Sequence, residues 1–423
     1  MSSLMDQFKT ILKKKGTGKT MSKHMDESDI NFVLKNMISS NIPLTTRATL
    51  LTAWIMLDKT ENEQNAFNHL LTNKIDLLPK ELWFLIDKTD LEVDQIIHSV
   101  ISGNPISKQK IVDLFDKYYI GQLPDFKLAS FLEALRLKEE TFEENTAIFD
   151  YFRMKTTQIE LDIPILIDIA TPYDGFNRSY FLQPFVCALL ASVDIPSILH
   201  GVKEVSPKKG ISTHKLLLEA NKNPGLTLND VKNQIMDQNI GWGYVDQSQF
   251  CSPLYKLNQL RVDMVKRPVL ATIEKWLQPI KATSTFCLTG FTHPPYKQKT
   301  IDIIDYANCY ESLILVRGVE GSTLLPPDRR TPYITMVQNK SPNFLFMSPN
   351  DHDFDEQPIE NQDPNKSLAA GIDALTGKNK QLTDYIIYHA LVIAYAAGRE
   401  VTKPDLTKAI ESGKALDHWN KSH

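Results

Sequence analysis

The sequence predicts an α/β protein in which an N-terminal all-helical domain precedes an α/β domain with a largely parallel central sheet. The first observation is that apolar residues recur at three- and four-residue spacing through residues 25–155, the period of an amphipathic helix. The second is that short apolar runs alternate with helical segments from Ile163 onward, as strands and crossover helices do in a parallel sheet. At 423 residues the chain is long enough for two or three domains.

The composition is that of a globular protein in a reducing compartment. Apolar residues make up 42% of the chain, and the formal net charge of −4 argues against a surface dominated by nucleic-acid binding. The four cysteines are scattered without the spacing of metal ligands. No apolar run approaches the roughly 18 residues that a membrane helix needs, and the first residues lack the apolar core of a secretory signal. We therefore expect a cytoplasmic protein without membrane contact.

Changes in pattern along the chain predict four segments. Residues 1–24 are rich in lysine and are expected to form a basic tail. A first helical module is predicted over residues 25–105 and a second over residues 106–158. The α/β domain takes residues 159–423 and closes with helices.

The two helical modules contain an internal repeat. A shift of 81 positions superposes residues without a gap, so chance is a poor explanation, although helical composition inflates such matches. The simplest role for the first copy is to supply extra helices that pack or dimerise. The superposed pairs are Pro43 and Pro124, Ala48 and Ala129, Leu51 and Leu132, Ala53 and Ala134, Thr60 and Thr141, Glu63 and Glu144, and Ala66 and Ala147.

Candidate binding residues lie in two loops that follow predicted strands. One strand, Ile165–Ile169, ends before a polar turn, and another, Pro196–Leu199, ends before a basic loop that opens a helix. Ligands of open α/β sheets bind in loops beyond the carboxyl ends of the strands, so these two loops are expected to face each other. The residues they supply are Asp174, Gly175, Asn177 and Arg178 from the first loop, and His200, Gly201, Lys203, Ser206, Lys208 and Lys209 from the second.

The second loop has the chemistry of an anion site. It combines small residues, hydroxyls and three lysines ahead of a helix, where free N–H groups and ammonium charges favour a phosphate. A solvated basic loop is the alternative. In the first loop, Asp174 is either an acceptor for a ligand or part of an ordinary Asx turn.

Two arginines form a third candidate group. Arg261 and Arg267 are separated by five residues, and guanidinium groups bind carboxylates and phosphates through paired hydrogen bonds. The alternative is a surface network with Asp263 or Glu274.

These segments resemble glycosyltransferase family 3, which includes the anthranilate phosphoribosyltransferases and pyrimidine nucleoside phosphorylases. The second helical copy is similar to the family's N-terminal helices. The family's GTGGD loop corresponds to residues 170–174, ATPYD, and its KHGNR loop to residues 199–203, LHGVK. The arginine pair also stands where the family has one. The resemblance implies a nucleoside phosphorylase/phosphoribosyltransferase-like fold and transfer of a pentosyl group from phosphoribosyl pyrophosphate. It also implies that His200 and Arg261 face the acceptor.

The sequence departs from the family at the positions that carry its chemistry. Pro172 has no N–H and Tyr173 is bulky, so the backbone nest for pyrophosphate cannot form as it does in the family. The family's adjacent Asp-Glu pair, which binds magnesium, corresponds to Thr323 and Leu324. No catalytic residue and no metal ligand is therefore assigned. No cofactor is certain, and magnesium stays open with its expected carboxylate pair absent.

The resulting expectation is a diverged pentosyltransferase with an altered acceptor and a weakened site for phosphoribosyl pyrophosphate and magnesium. We expect a paralogue of the tryptophan-biosynthesis enzyme that does not itself serve tryptophan synthesis. The alternative is a non-catalytic relative that binds an anionic ligand or nucleic acid. The expected partner is an anionic small molecule similar to phosphoribosyl pyrophosphate, or nucleic acid. A homodimer is expected because related enzymes resemble dimers joined through the helical domain.

Overall fold

The computed structural model describes residues 3–16, 18–19 and 21–423. The chain divides into two compact units. The helical unit comprises Met1–Tyr151 and Lys256–Ile273, and the α/β unit comprises Phe152–Tyr255 and Glu274–His423.

The α-helices, in chain order, are α1 (Leu4–Lys15), α2 (Glu27–Asn36), α3 (Leu44–Met56), α4 (Glu61–Thr72), α5 (Lys74–Leu77), α6 (Glu92–Ile101), α7 (Lys108–Tyr119), α8 (Asp125–Lys138), α9 (Phe142–Met154), α10 (Gln183–Ala191), α11 (Thr213–Glu219), α12 (Leu228–Met236), α13 (Gln247–Phe250), α14 (Ser252–Lys256), α15 (Asn258–Met264), α16 (Leu270–Ile273), α17 (Pro294–Ala307), α18 (Ser367–Leu375), α19 (Lys380–Ala396), α20 (Lys403–Glu411) and α21 (Lys414–Lys421). The strands are β1 (Ile159–Glu160), β2 (Ile165–Ala170), β3 (Ser197–Gly201), β4 (Trp242–Asp246), β5 (Ile280–Lys281), β6 (Ser284–Gly290), β7 (Ser312–Val316), β8 (Thr331–Val337) and β9 (Asn343–Met347). Short 3₁₀ turns span Lys80–Leu85, Glu274–Trp276, Val319–Gly321, Pro349–His352 and Pro364–Lys366.

The segment predicted as a basic tail contains a packed helix instead. The hydroxyl of Ser3 caps α1 by accepting the N–H of Asp6, and the apolar side chains of Phe8, Ile11 and Leu12 are buried in the helical unit. The lysines at the end of this amphipathic helix divide: Lys13 is exposed, whereas Lys15 is 1% exposed and pairs with the buried carboxylate of Glu63 (2.8 Å). Met1, Ser2, Thr17 and Thr20 lie outside the described residues.

The repeat in the sequence is a repeat in the structure. Helices α2, α3 and α4 are followed, 81 residues later, by α7, α8 and α9, and α3 packs against α8. Glu63 and Glu144 are both buried, and each accepts a backbone N–H at the start of its own copy, from Met25 (2.9 Å) and Ile106 (3.0 Å) respectively. Met25 and Ile106 are themselves 81 residues apart. Glu63 and Glu144 are thus equivalent residues that make the equivalent hydrogen bond in each copy.

The helical unit also takes in residues 256–273, which the sequence assigns to the α/β domain. Helix α15 packs against α3 and α8, and the hydroxyl of Thr46 donates to the carbonyl of Asp263 (2.8 Å). Leu260 and Met264 of α15 are buried. Apolar burial against two helices that are distant in sequence accounts for the difference from the predicted boundary.

The α/β unit is built on a seven-stranded sheet with the order β4-β3-β2-β6-β7-β8-β9. The strands from β4 to β7 in this order are parallel, and β8 and β9 join antiparallel. Every residue of β2 is buried, as is typical of a central parallel strand. The short strands β1 and β5 pair separately. The predicted fold class is confirmed.

One strand of this sheet lacks a sequence signal. The pattern does not predict β4, because its residues, WGYVD, include a glycine and end in an aspartate instead of forming a β-branched run. Strand β3 also runs further than predicted and includes His200 and Gly201. None of the helices in the described part of the chain is long and apolar enough to cross a membrane.

Candidate functional site

Two loops meet at the carboxyl ends of β2 and β3, as expected. We call residues 171–182 the first loop and residues 202–212 the second loop. Phe176 and Ile211 exchange two backbone hydrogen bonds of 2.9 Å, and the N–H of Gly210 donates to the carbonyl of Asp174 (2.8 Å). Backbone hydrogen bonds therefore hold the loops directly against each other.

Two glycines allow this close contact. Gly175 has a φ of +75°, and a Cβ added there would lie 2.6 Å from the carbonyl oxygen of Ile211. A Cβ added at Gly210 would lie 2.4 Å from the carbonyl oxygen of Phe176. Since real Cβ atoms do not approach so closely, a side chain at either position would separate the loops.

Three consecutive N–H groups of the first loop converge on one carboxylate. Asn177, Arg178 and Ser179 donate to Oε1 of Glu320 at 3.2, 2.9 and 3.1 Å. We call these three N–H groups the amide cradle. The ammonium group of Lys208, from the second loop, lies 3.0 Å from Oε2 of the same carboxylate. Backbone dipoles and one cation thus surround a single anionic group.

Glu320 reaches the amide cradle from a third loop, which follows β7. It lies in the 3₁₀ turn Val319–Gly321 with a φ of +53°, and its side chain is only 3% exposed. Burial by itself would raise the pKa of Glu320, but the Lys208 ammonium and the cradle N–H groups outweigh it and lower the pKa overall. The carboxylate is therefore held in its charged form. The sequence shows Glu320 as an isolated acid after a strand and carries no signal for this contact.

The three lysines of the second loop do not act together. Lys208 faces the amide cradle and also donates to the carbonyl of Gly175 (2.9 Å). Lys209 pairs instead with Glu204 (3.2 Å), and the side chain of Lys203 is exposed. The predicted cluster of three cations is thus divided, because Glu204 draws Lys209 away.

The remaining predicted loop residues are positioned mainly by backbone contacts. Asn177 donates its side-chain amide to the carbonyl of Lys208 (3.2 Å), and the side chain of Arg178 is exposed. Asp174 and Ser206 are buried, at 5% and 3% exposure. The structure therefore brings Gly175, Asn177, Arg178 and Lys208 together around Glu320.

His200 is not a loop residue that faces a ligand, in contrast to its predicted position. It is fully buried on β3, with Nε2 lying 2.9 Å from Oδ1 of Asp168 and Nδ1 lying 2.5 Å from Oη of Tyr173. The hydroxyl of Tyr310 donates to the other oxygen of Asp168 (2.9 Å). Both ring nitrogens of His200 therefore have partners within the protein. Asp168 and Tyr310, which complete this chain of contacts, were not singled out by the sequence.

Tyr173 causes the burial of His200. It stands where the family's loop has a glycine, and its side chain is turned inward with 3% exposure. Its hydroxyl oxygen also lies 3.1 Å from the carbonyl oxygen of Glu274. Burial raises the pKa of Tyr173 well above its ordinary value, so the hydroxyl stays protonated at neutral pH.

The positions of the family's metal-binding pair do not fit a magnesium ion. Thr323 and Leu324 are buried at 2% and 1% exposure, and the Thr323 hydroxyl accepts a hydrogen bond from the side-chain amide of Gln183. Neither side chain offers the carboxylate oxygens that magnesium prefers. Glu320, three positions before Thr323, is held by the amide cradle and Lys208. Within residues 3–16, 18–19 and 21–423, no group of three or more His, Cys, Asp or Glu side chains is arranged to hold a metal ion.

The arginine pair belongs to the helical unit and does not lie on one helix. Arg261 is 1% exposed within α15, which ends at Met264 because Val265 adopts a left-handed φ of +58°. Arg267 follows that break and its side chain is exposed. The two guanidinium groups therefore have different environments, one in the core of the unit and one in solvent.

Comparisons with known proteins extend over both parts of the chain. The family model described as Glycosyl transferase family, helical bundle domain, matches residues 94–154, so the first helical copy lies outside it. An uncharacterized protein of Aquifex aeolicus (strain VF5) is 25% identical over 299 residues, covering 69% of this chain and 88% of that protein. The anthranilate phosphoribosyltransferase of Ruminiclostridium cellulolyticum is 22% identical over 338 residues, covering 78% of this chain and 96% of the enzyme.

Superposition on solved structures also matches an anthranilate phosphoribosyltransferase. The structure of the anthranilate phosphoribosyltransferase from Saccharomyces cerevisiae in complex with PRPP and Mg superposes with a TM-score of 0.61 at 15% identity. The superposition covers 78% of this chain and 96% of that chain. The similarity therefore includes both the helices and the sheet.

Proposed function

We propose that this chain, a glycosyltransferase family 3 relative with the fold of the anthranilate phosphoribosyltransferases, binds an anionic small molecule at its two loops without magnesium-dependent phosphoribosyl transfer. Of the two functions that the sequence leaves open, the geometry favours the binding protein over the transferase. The preference rests on what occupies each position of the site.

The observation that carries the proposal is the contact between Tyr173 and His200. A glycine loop binds pyrophosphate by exposing backbone N–H groups, whereas here a buried phenol fills the space next to β2. The same phenol engages Nδ1 of His200, while Asp168 engages Nε2. The residue that would orient an acceptor is thus enclosed in the core.

Anion binding is supported by the groups that remain at the loops. The amide cradle and Lys208 already hold one carboxylate, with donor-to-acceptor distances between 2.9 and 3.3 Å. Backbone N–H groups and a lysine are the usual ligands of a phosphate group in proteins. Arg178, whose N–H belongs to the amide cradle, also has an exposed side chain.

Transfer of a pentosyl group would need more than this. The departing pyrophosphate develops charge that fixed cations or a metal ion must stabilise. Thr323 and Leu324 supply no carboxylate for magnesium, and Lys208 is the one loop lysine that faces the amide cradle. A pentosyltransferase with an altered acceptor would therefore have to release His200 from Tyr173 and recruit a cation from elsewhere.

Calorimetric titration with phosphoribosyl pyrophosphate, in magnesium and in EDTA, tests the proposal. We expect binding with the same affinity in both buffers, and no release of pyrophosphate when anthranilate is added. Binding that requires magnesium, or release of pyrophosphate with any acceptor, would favour the diverged transferase. An absence of binding to this ligand, to pyrophosphate and to phosphate would contradict both functions.

Nucleic-acid binding is a second candidate, supported by the exposed edge strand β9. Phe344 and Phe346 are 54% and 57% exposed. The Lys297 ammonium lies 5.0 Å from the centre of the first ring, and the Arg330 guanidinium 5.1 Å from the centre of the second. Exposed rings beside cations are typical of surfaces on which single-stranded bases stack. Binding of single-stranded DNA that weakens steeply with salt and is lost in Phe344→Ala/Phe346→Ala would support this role.

The homodimer and the cytoplasmic location stay predictions. Light scattering of the purified chain measures the mass in solution and tests the dimer.

A role as a paralogue outside tryptophan synthesis is tested by whether the gene complements a strain that lacks anthranilate phosphoribosyltransferase, and we expect no complementation.

A further inference from the structure

Glu320 binds where an external anion would bind. Its carboxylate comes from the loop after β7 and lies inside the amide cradle of the first loop, next to Lys208 of the second. We propose that the amide cradle and Lys208 form a phosphate site that Glu320 occupies in the ligand-free protein. A phosphate-bearing ligand would bind there by displacing Glu320. This inference rests on the proposed function, because it names the ligand class and the internal competitor of that same site.

The distribution of donors matches a phosphate better than a carboxylate. Oε1 of Glu320 receives three N–H groups, at 3.2, 2.9 and 3.1 Å, whereas Oε2 receives Lys208 at 3.0 Å and a longer contact from Asn177 at 3.3 Å. A carboxylate oxygen offers about two lone pairs, so three N–H donors exceed its capacity. A phosphate group presents three terminal oxygens and more negative charge to the same donors. The Glu320 carboxylate therefore offers too few lone pairs for all the donors of the site.

The backbone of Glu320 lies in a tight turn that has its own hydrogen bonds. The N–H of Gly321 donates to the carbonyl of Gly318 (3.1 Å), and the N–H of Ser322 donates to the carbonyl of Val319 (3.0 Å). The φ of +53° at Glu320 suits the third position of such a turn. Displacement of the carboxylate therefore requires rotation of the Glu320 side chain, while the turn that carries it is held locally.

The site is also accessible from solvent. The side chains of Asn177 and Arg178 are exposed, and Lys208 lies 14% exposed at the side of Oε2. A ligand can therefore approach the cradle along the first loop. Once Glu320 has moved, the Lys208 ammonium no longer has the internal carboxylate as its partner and can pair with the incoming anion.

The direct test is calorimetric titration of Glu320→Ala with inorganic phosphate, compared with the unmodified chain. An internal competitor lowers apparent affinity by the fraction of time that it leaves the site free, so its removal should strengthen phosphate binding by about tenfold or more. Glu204→Ala is the matched control. It removes one acidic side chain that pairs with Lys209 and Lys215, outside the amide cradle, and should leave the affinity unchanged.

A second variant shows where the phosphate binds. Adding Lys208→Ala to Glu320→Ala should abolish the gain in affinity, because the Lys208 ammonium lies 3.0 Å from the carboxylate of Glu320. If Glu320→Ala does not fold, Glu320→Gln keeps the volume and removes the charge. Amide NMR signals of Asn177, Arg178 and Ser179 should then shift at lower phosphate concentrations than in the unmodified chain.

The outcomes separate this inference from the proposed function. A gain confined to the Glu320 variants supports displacement. Equal phosphate affinity in the unmodified chain, Glu320→Ala and Glu204→Ala would overturn displacement while leaving the proposed anion binding intact. A gain of equal size in Glu204→Ala would also overturn it, because net charge alone would then account for the effect. Absence of phosphate binding in every variant, together with absence of binding to phosphoribosyl pyrophosphate, would overturn both.

Discussion

The hydroxyl of Tyr173 provides the sharpest test of the buried contact that closes the family's binding position. Tyr173→Phe removes one oxygen atom and keeps the ring that fills the space. The expected result is a loss of stability with no gain in binding of phosphoribosyl pyrophosphate, because the ring still occupies the position of the family's glycine.

The magnitude follows from the partners that the oxygen serves. The Tyr173 hydroxyl donates to the carbonyl of Glu274 (3.1 Å), and its oxygen lies 2.5 Å from Nδ1 of His200. His200 is fully buried, so Nδ1 would have no water to replace the lost hydroxyl. A buried polar atom left without a partner costs about 1–3 kcal/mol. We therefore expect Tyr173→Phe to lower the free energy of unfolding by about 2 kcal/mol.

Urea unfolding of the purified chain measures this difference. Tyr255→Phe is the control, because Tyr255 is 40% exposed and its hydroxyl can bond to water. A change at an exposed site of this kind usually stays within about 0.5 kcal/mol. Equal small losses for both variants would refute the buried contact, and a gain in ligand binding by Tyr173→Phe would show that the hydroxyl, and not the ring, closes the site.

Three further predictions concern charged groups. Glu144→Ala should destabilise the helical unit by about 3–5 kcal/mol in urea unfolding, because it leaves the buried Lys138 ammonium, now 2.7 Å from the carboxylate, without its partner; a loss below about 1 kcal/mol would contradict this pairing. The pKa of Glu320 is lowered in the fold from an ordinary value of 4.5, so the stability that its charge contributes is fully present above that value and is lost as the pH falls through the folded pKa. The difference in unfolding free energy between the unmodified chain and Glu320→Gln should therefore be constant near neutrality and shrink in acid. A difference that grows in acid would be inconsistent with a lowered pKa. Burial lowers the pKa of Lys266 to about 7, so its charged form opposes folding most below that pH and progressively less as the pH rises toward the ordinary value of 10.5. The advantage in unfolding free energy of Lys266→Met over the unmodified chain should therefore fall from mildly acidic to alkaline pH. A difference that does not change with pH would count against a buried amine.

Much of the fold could be predicted because its signals are local. The helical period over residues 25–155 and the alternation from Ile163 onward depend on neighbours a few positions apart, and the structure confirms the class that they indicate. The repeat is local in the same sense, since each copy carries its own helix starts and its own buried glutamate. Strand β4 lacks such a signal and could not be predicted.

The candidate site could be predicted only in outline. The two strand ends direct attention to the first and second loops, and Gly175, Asn177, Arg178 and Lys208 do meet there. The sequence does not show that Lys209 pairs with Glu204, because a charged residue has many neighbours of opposite sign within reach along the chain. Nor does it show that α15 ends before Arg267, which a left-handed residue at Val265 decides.

The sequence by itself determined the fold class, the duplicated helices and the loss of the family's glycines and acidic pair, since each is a property of residues at stated positions. Only the tertiary structure decided what takes the place of the lost groups. Glu320 enters a cradle of N–H groups more than 140 positions away, and His200 is enclosed by Tyr173 and Asp168 on neighbouring strands and loops. The physical reason is that a buried carboxylate or imidazole must find partners wherever the folded chain brings donors and acceptors together, and that proximity is not encoded in local spacing.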